Sequence, residues 1–282
     1  MELRRPDGGV VAVEIVGKPE ATPVLFCHGL ADSRLSVRRL AAVADELGLR
    51  VIAPDRPGTG GTQPRPLRQV AEWAEDAAQV LDALVLPSAT VWGVSGGGAF
   101  AAACAARLPE RFGRLVLVTP LGPPAWPTDG MAPWQRRSLR LATRTPAFGA
   151  WFLARLAALG RRTPDLFFRV VTTETPQADR RALAYADLRA DFLDGYLEAF
   201  RHGADGVRQD LRLLTRPWGF RLEEITVPTT IHHGTADTTV PFAHAERFAA
   251  AIPGAQLRTW PGHGHFSILA DQSTIAADAA GN

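Results

Sequence analysis

The stretch Thr90-Val91-Trp92-Gly93-Val94-Ser95-Gly96-Gly97-Gly98-Ala99-Phe100 decides how this chain is read. Residues 89–94 are a short apolar run and predict a strand, whereas the alanine-rich residues 97–107 predict a helix. Between them lies Gly-x-Ser-x-Gly, residues 93–97, which puts a serine on a tight strand-to-helix turn. Glycines two before and two after it relieve the clash between the incoming strand and the outgoing helix. The helix start also sets partial positive charge and free N–H groups beside the serine, where an oxyanion could be stabilised. A glycine-rich turn with no chemistry would share this string, so its partners elsewhere in the chain decide.

Working outward, residues 3–5 and 10–16 read as a hairpin about Pro6-Asp7-Gly8-Gly9. Strands are expected at 23–27, 50–53 and 115–119, with helices at 34–47 and 67–84. Strand and helix in alternation predict a parallel sheet covered on both faces. The alternation stops at Pro120 and resumes with a strand at 227–233, a helix at 242–251 and a strand at 256–260. A terminal helix is expected after Phe266. The expected fold class is α/β, a mostly parallel sheet flanked by helices. Residues 1–119 and 220–282 form the core, interrupted by an all-helical insertion at 120–219. A chain of 282 residues suits one large domain with such an insertion.

Composition removes several function classes. Hydrophobic residues make up 46% and charged residues 21%, which supports a packed core rather than disorder. A net charge of +2 is too small for electrostatic capture of nucleic acid. No apolar run approaches the ~20 residues that span a bilayer, and no membrane insertion is expected. The N-terminus lacks the signal-peptide pattern, so a cytoplasmic protein is expected. Cys27 and Cys104 provide neither a disulfide framework nor a metal spacing, and no cofactor is expected. Residues 120–219 are distinctive: they hold twelve of the 22 aromatic residues, and fifteen arginines against ten acids. These aromatics either build a small helical core or line a pocket between insertion and sheet, where small molecules commonly bind.

The serine has partners in a telling order. The strand at 227–233 leads into Gly234-Thr235-Ala236-Asp237, and the strand at 256–260 into Pro261-Gly262-His263-Gly264-His265-Phe266. Ser95, Asp237 and His265 each follow a different strand, at the sheet end where such loops converge. A serine hydroxyl needs an imidazole to take its proton, and a carboxylate to fix that imidazole's tautomer and stabilise its cation. His263 competes with His265 for the role of base. The two could also ligate a metal, but no carboxylate accompanies them, and no metal is expected. His28, His232 and His233 read as structural groups tying the strand ends together.

Over nearly its whole length the chain resembles the α/β-hydrolase fold superfamily. His28-Gly29-Leu30 looks like the family's HG-x segment, and Asp55-Arg56-Pro57-Gly58-Thr59-Gly60 like its D-x-P-G-x-G turn. Gly93–Gly97, His233–Asp237 and Gly264–Phe266 look like the nucleophile, acid and histidine motifs. The resemblance implies an oxyanion hole from the backbone N–H groups of Leu30 and Gly96, and a helical cap over residues 120–219. It implies a serine hydrolase, with small to medium carboxylic esters as substrates through an acyl-enzyme on Ser95. Serine in the turn argues against epoxide hydrolases and haloalkane dehalogenases, which carry aspartate there. Alternatives on the same residues are a lyase, cyclase or acyl transferase of secondary metabolism, a carrier-linked thioesterase, or a small-molecule receptor with a silent triad. The expected partner is a small-molecule substrate, bound by Val94 and by Trp126, Trp134 and Trp151 of the insertion. Oligomeric state is not legible.

Overall fold

Strands and helices alternate as β1 (Glu2–Arg4), β2 (Val10–Val16), β3 (Thr22–Cys27), α1 (Ala41–Leu47), β4 (Leu49–Pro54), α2 (Trp73–Ala83), β5 (Thr90–Val94), α3 (Gly97–Arg107) and β6 (Arg114–Val118). Six consecutive helices follow: α4 (Pro133–Arg144), α5 (Pro146–Arg162), α6 (Pro164–Val171), α7 (Gln177–Ala182), α8 (Ala186–Ala199) and α9 (Asp205–Leu214). The chain then returns through β7 (Thr229–Gly234), α10 (Phe242–Ala251), β8 (Gln256–Trp260) and α11 (Ser273–Ala280). This computed structural model describes residues 1–281.

All eight strands join one sheet in the order β1-β2-β4-β3-β5-β6-β7-β8. The pairs β1–β2 and β2–β4 are antiparallel, and every other pair is parallel. Side-chain alternation sorts the strands between two cores. Leu25 and Cys27, Val91, and Leu115 and Leu117 face the helices α2, α3 and α10. Val24 and Phe26, Trp92 and Val94, and Val116 and Val118 face α1 and α11. Both faces are thus buried, which is why these strands read as continuous apolar runs.

Helix boundaries depart from the periodic pattern where local side chains compete for the backbone. The helix expected at 34–47 begins as a 3-10 segment, Arg34–Leu40, before α1. Ser33 accepts from Leu35 N, and Ser36 Oγ donates to Ser33 O at 2.9 Å, which tightens that turn. Gly48, at φ +64°, ends α1 in a left-handed cap. The terminal helix starts at Ser273 rather than directly after Phe266, because a 3-10 turn at Ser267–Ala270 intervenes.

A third apolar cluster lies within the helical layer, where Phe167, Phe168, Tyr196 and Phe200 pack around Leu156 and Leu211. The layer is tied to the sheet by a buried ion pair. Arg56, after β4, meets Asp210 of α9 at 2.8–2.9 Å, with both side chains buried and the guanidinium 4.3 Å from the Phe100 ring centre. Two burial costs are balanced here only while both charges remain. Asp210→Ala is therefore expected to lower stability by about 3–5 kcal/mol, read as a reduced urea midpoint at unchanged slope. A loss below about 1 kcal/mol would show that the pair does not hold α9 to the sheet.

Candidate active site

Packing explains why glycine flanks Ser95. A Cβ on Gly93 would stand 2.6 Å from Ala101 Cβ and 2.7 Å from Gly97 O, and one on Gly97 would strike the carbonyls of Cys27 and His28. Strand β5 and helix α3 meet too closely there for any larger residue. The turn forces Ser95 to φ +54°, a left-handed conformation rare for serine. Its backbone is held from three sides. Ser95 N donates to Val118 O at 2.9 Å, and Ser95 O accepts from Gly98 N and Leu121 N at 3.0 and 3.1 Å.

The Ser95 hydroxyl lies 3.1 Å from His265 Nε2, and His265 Nδ1 lies 2.8 Å from Asp237 Oδ2. The other oxygen of Asp237 accepts from Thr239 N and Val240 N, at 2.7 and 2.8 Å, so the carboxylate cannot rotate freely. Burial raises the Asp237 carboxyl, but the His265 and His233 imidazoles lower it by more, and it stays ionised. Burial likewise presses His265 downward, yet the charge and hydrogen bond of Asp237 outweigh it and leave the imidazole raised above its ordinary value. The proton on His265 Nδ1 is thereby directed at Asp237, which leaves Nε2 free to accept from the hydroxyl.

Two backbone N–H groups converge beside the serine. Leu30 N and Gly96 N donate no hydrogen bond to another group among the described residues, and a Cβ on Gly96 would lie 3.3 Å from Leu30 N. Such paired donors at a helix start suit a developing oxyanion. Arg56 fixes the segment that presents Leu30: its guanidinium donates to His28 O at 2.7 Å and Gly29 O at 2.8 Å. His28, with its imidazole buried and held neutral, lies 2.9 Å from Gly29 O through Nδ1. His233 donates from Nε2 to Val240 O at 2.9 Å, and His232 lies 2.9 Å from Asp278. These three histidines tie strand ends together. His263 packs edge-on against Trp260, and the one hydrogen-bond partner of its ring among the described residues is Pro261 O.

The residues expected to bind substrate are not brought together in one pocket. Trp126 packs edge-on against His244 and Phe248 of α10, and lines a groove of about 760 Å³ that contains none of Ser95, Asp237 or His265. Trp151 is 52% exposed beside Phe148, and Trp134 is 37% exposed beside Phe152. Val94 is buried in the core against α1 and α11, because alternation along β5 turns it there. The apolar groups that do approach the serine turn are Leu30 and Leu214, which lie against Gly96. Phe266 also packs edge-on to the His265 ring at 5.3 Å. Arg56 and Asp179 escape sequence reading altogether. Asp179 of α7 is fully buried and accepts hydrogen bonds from His265 N, Phe266 N and Ser267 N. Among the described residues no group of three or more histidines, cysteines or acids could hold a metal ion. No described helix is long and apolar enough to cross a membrane.

Comparison with known proteins agrees with this architecture. The chain is 34% identical over 235 residues to the pimeloyl-[acyl-carrier protein] methyl ester esterase of Aromatoleum aromaticum, covering 81% of this chain and 85% of that one. It is 31% identical over 231 residues to the 2-hydroxymuconate semialdehyde hydrolase of Pseudomonas putida, covering 78% and 72%. An enol-lactonase structure from Burkholderia xenovorans superposes with a TM-score of 0.72 over 98% of both chains, at 20% identity, a likeness of fold alone. The family model for the alpha/beta hydrolase fold matches residues 22–272, and with the sheet order and the serine turn already described, the chain belongs to the alpha/beta hydrolase fold family.

Proposed function

We propose that this protein is a serine hydrolase that cleaves small to medium carboxylic esters through an acyl-enzyme on Ser95. The observation that carries the reading is the line from Asp237 Oδ2 through His265 to Ser95 Oγ, at 2.8 and 3.1 Å. His265 takes the hydroxyl proton as Ser95 attacks the ester carbonyl. The N–H groups of Leu30 and Gly96 bind the oxyanion of the tetrahedral intermediate. The imidazolium then protonates the departing alcohol, and a water activated by the same histidine releases the acid. Residues 120–219 act as the cap over this site, and residues 1–119 and 220–282 as the catalytic core. No nucleic acid or metal enters the mechanism, and a cytoplasmic location fits it.

The experiment is active-site labelling with a fluorophosphonate, followed across pH and paired with p-nitrophenyl esters of increasing acyl length. His265 must be neutral to act as base, and its folded pKa is raised. Labelling is therefore expected to fall as pH drops through a midpoint above the ordinary histidine value of ~6.5. Leu30, Leu214 and Phe266 offer an apolar wall, and each buried methylene contributes about 0.8 kcal/mol. The ester kcat/KM should thus climb several-fold per carbon until the wall is covered. Absence of labelling, or labelling at another residue, would end this reading.

One observation favours a second reading, an ester or thioester borne on an acidic carrier protein. Helices α4 and α5 carry seven arginines and no acid, and a relative at 34% identity is named for a carrier-linked ester. Salt separates the two: arginine-led capture weakens as screening shortens to ~8 Å at 0.15 M, while apolar recognition barely responds. A flat chain-length profile with steep salt dependence would place the carrier-borne substrate first.

A further inference from the structure

The loop that bears His265 is gripped from above by a carboxylate of the helical layer. Asp179 Oδ2 accepts from His265 N at 2.9 Å, while Oδ1 accepts from Phe266 N at 3.0 Å, Ser267 N at 2.8 Å and Ser267 Oγ at 2.9 Å. Four donors converge on one side chain with no solvent exposure, and no arginine, lysine or histidine lies within ion-pair distance of it among the described residues. The fit is close. Residue 264 must be glycine, because a Cβ there would strike the Asp179 carboxylate. A second contact runs in parallel, with the Phe266 ring edge-on to Phe192 of α8 at 5.2 Å. Four donors compensate the burial of this carboxylate, and all four belong to the segment that carries the catalytic histidine. The carboxylate bonds the backbone of His265, not its ring, and it is close enough for its charge to raise that imidazole.

We propose that Asp179 is a positioning residue for the reaction at Ser95: from the helical layer it fixes the backbone of the histidine loop and supports the charge His265 gains, so that the catalytic histidine is set jointly by core and cap. The proposal rests on the serine-hydrolase reading. Two carboxylates face His265 from different elements, Asp237 from the loop after β7 and Asp179 from α7. The other ionisable groups nearby are His233, which stands behind Asp237 at 3.4 Å, and His263, which packs on Trp260. Asp179 adds to the upward pressure on the imidazole, after the larger effects of burial and Asp237.

The test is the pH-dependent rate of fluorophosphonate labelling in the wild type, Asp179→Asn and Ser267→Ala, with folding checked by thermal melting. Asp179→Asn removes the charge and turns one former acceptor into a donor facing an N–H. The expected result is a ten- to hundredfold slower labelling rate, with the acidic limb displaced to lower pH because the imidazolium has lost support. A residue that merely caps the 3-10 turn would leave the limb where it was. A folded Asp179→Asn whose limb coincides with the wild type overturns the proposal. If Asp179→Asn does not fold, Ser267→Ala decides. It removes one of the four donors and keeps the charge, so a several-fold lower rate supports the grip and a wild-type rate overturns it. Wild-type labelling that does not depend on Ser95 removes the parent reading and this proposal together. Ser95-dependent labelling with indifferent Asp179 and Ser267 variants removes the proposal alone.

Discussion

Replacing Ser95 by alanine is expected to lower kcat on any ester the protein accepts by about 10⁴-fold or more and to abolish fluorophosphonate labelling, while the fold persists. The size follows from what is removed. Without the hydroxyl there is no acyl-enzyme, and His265 has nothing to activate except water in a space shaped for a side-chain nucleophile. Some catalysis should remain, because the proposed oxyanion donors, Leu30 N and Gly96 N, would still polarise a bound carbonyl. The fold persists because the hydroxyl's one protein partner is His265 Nε2, and the φ of +54° belongs to a turn that backbone hydrogen bonds hold and glycines 93 and 97 permit, independent of the hydroxyl. The measurement is intact mass after labelling, together with turnover and a thermal melt. Turnover within tenfold of the wild type would remove Ser95 from the mechanism and the acyl-enzyme with it.

That prediction draws on residues whose placement was legible in the sequence for a simple reason: each sits at a strand end, in a short motif with its own turn geometry. Gly93 and Gly97 announce a close approach of backbones, and the approach is there. The strands were readable because burial on both faces leaves unbroken apolar runs, from Val24 to Cys27 and from Leu115 to Val118. The aromatic residues of the insertion were harder to assign for a related reason. A helical layer of this size needs a core of its own, and Phe167, Phe168, Tyr196 and Phe200 supply it, while Trp134 and Trp151 lie toward solvent. Nothing in the spacing of an isolated tryptophan separates those fates. Arg56 and Asp179 were unreadable on other grounds. Their partners lie 154 and 86 residues away along the chain, respectively Asp210 and His265. Neither a lone arginine in a turn nor a lone aspartate on a short helix carries a periodic signal of such a contact.

Asp237→Asn should cost nearly as much as losing the nucleophile, about 10⁴-fold in kcat, with little change in stability. The two oxygens of Asp237 do different work. Oδ1 accepts from Thr239 N and Val240 N at 2.7 and 2.8 Å, and an asparagine keeps those bonds through its own oxygen. Its amide nitrogen then replaces Oδ2, 2.8 Å from His265 Nδ1. An amide N–H there donates to Nδ1, so the imidazole must carry its proton on Nε2, the nitrogen that faces Ser95 Oγ. The base is thus present, in place and in the wrong tautomer. Loss of the carboxylate also removes the largest influence that raises His265, so burial weighs more heavily and the imidazolium becomes harder to form. His263→Ala serves as the contrast, since that side chain packs on Trp260 and makes no bond to Ser95 or Asp237; most of the activity should survive it. An Asp237→Asn variant within about tenfold of wild-type kcat would mean that another group orients His265. The carboxylate of Asp179, which already holds that residue's backbone N–H at 2.9 Å, would be the first to examine, because the two acids meet the same histidine from opposite layers of the fold.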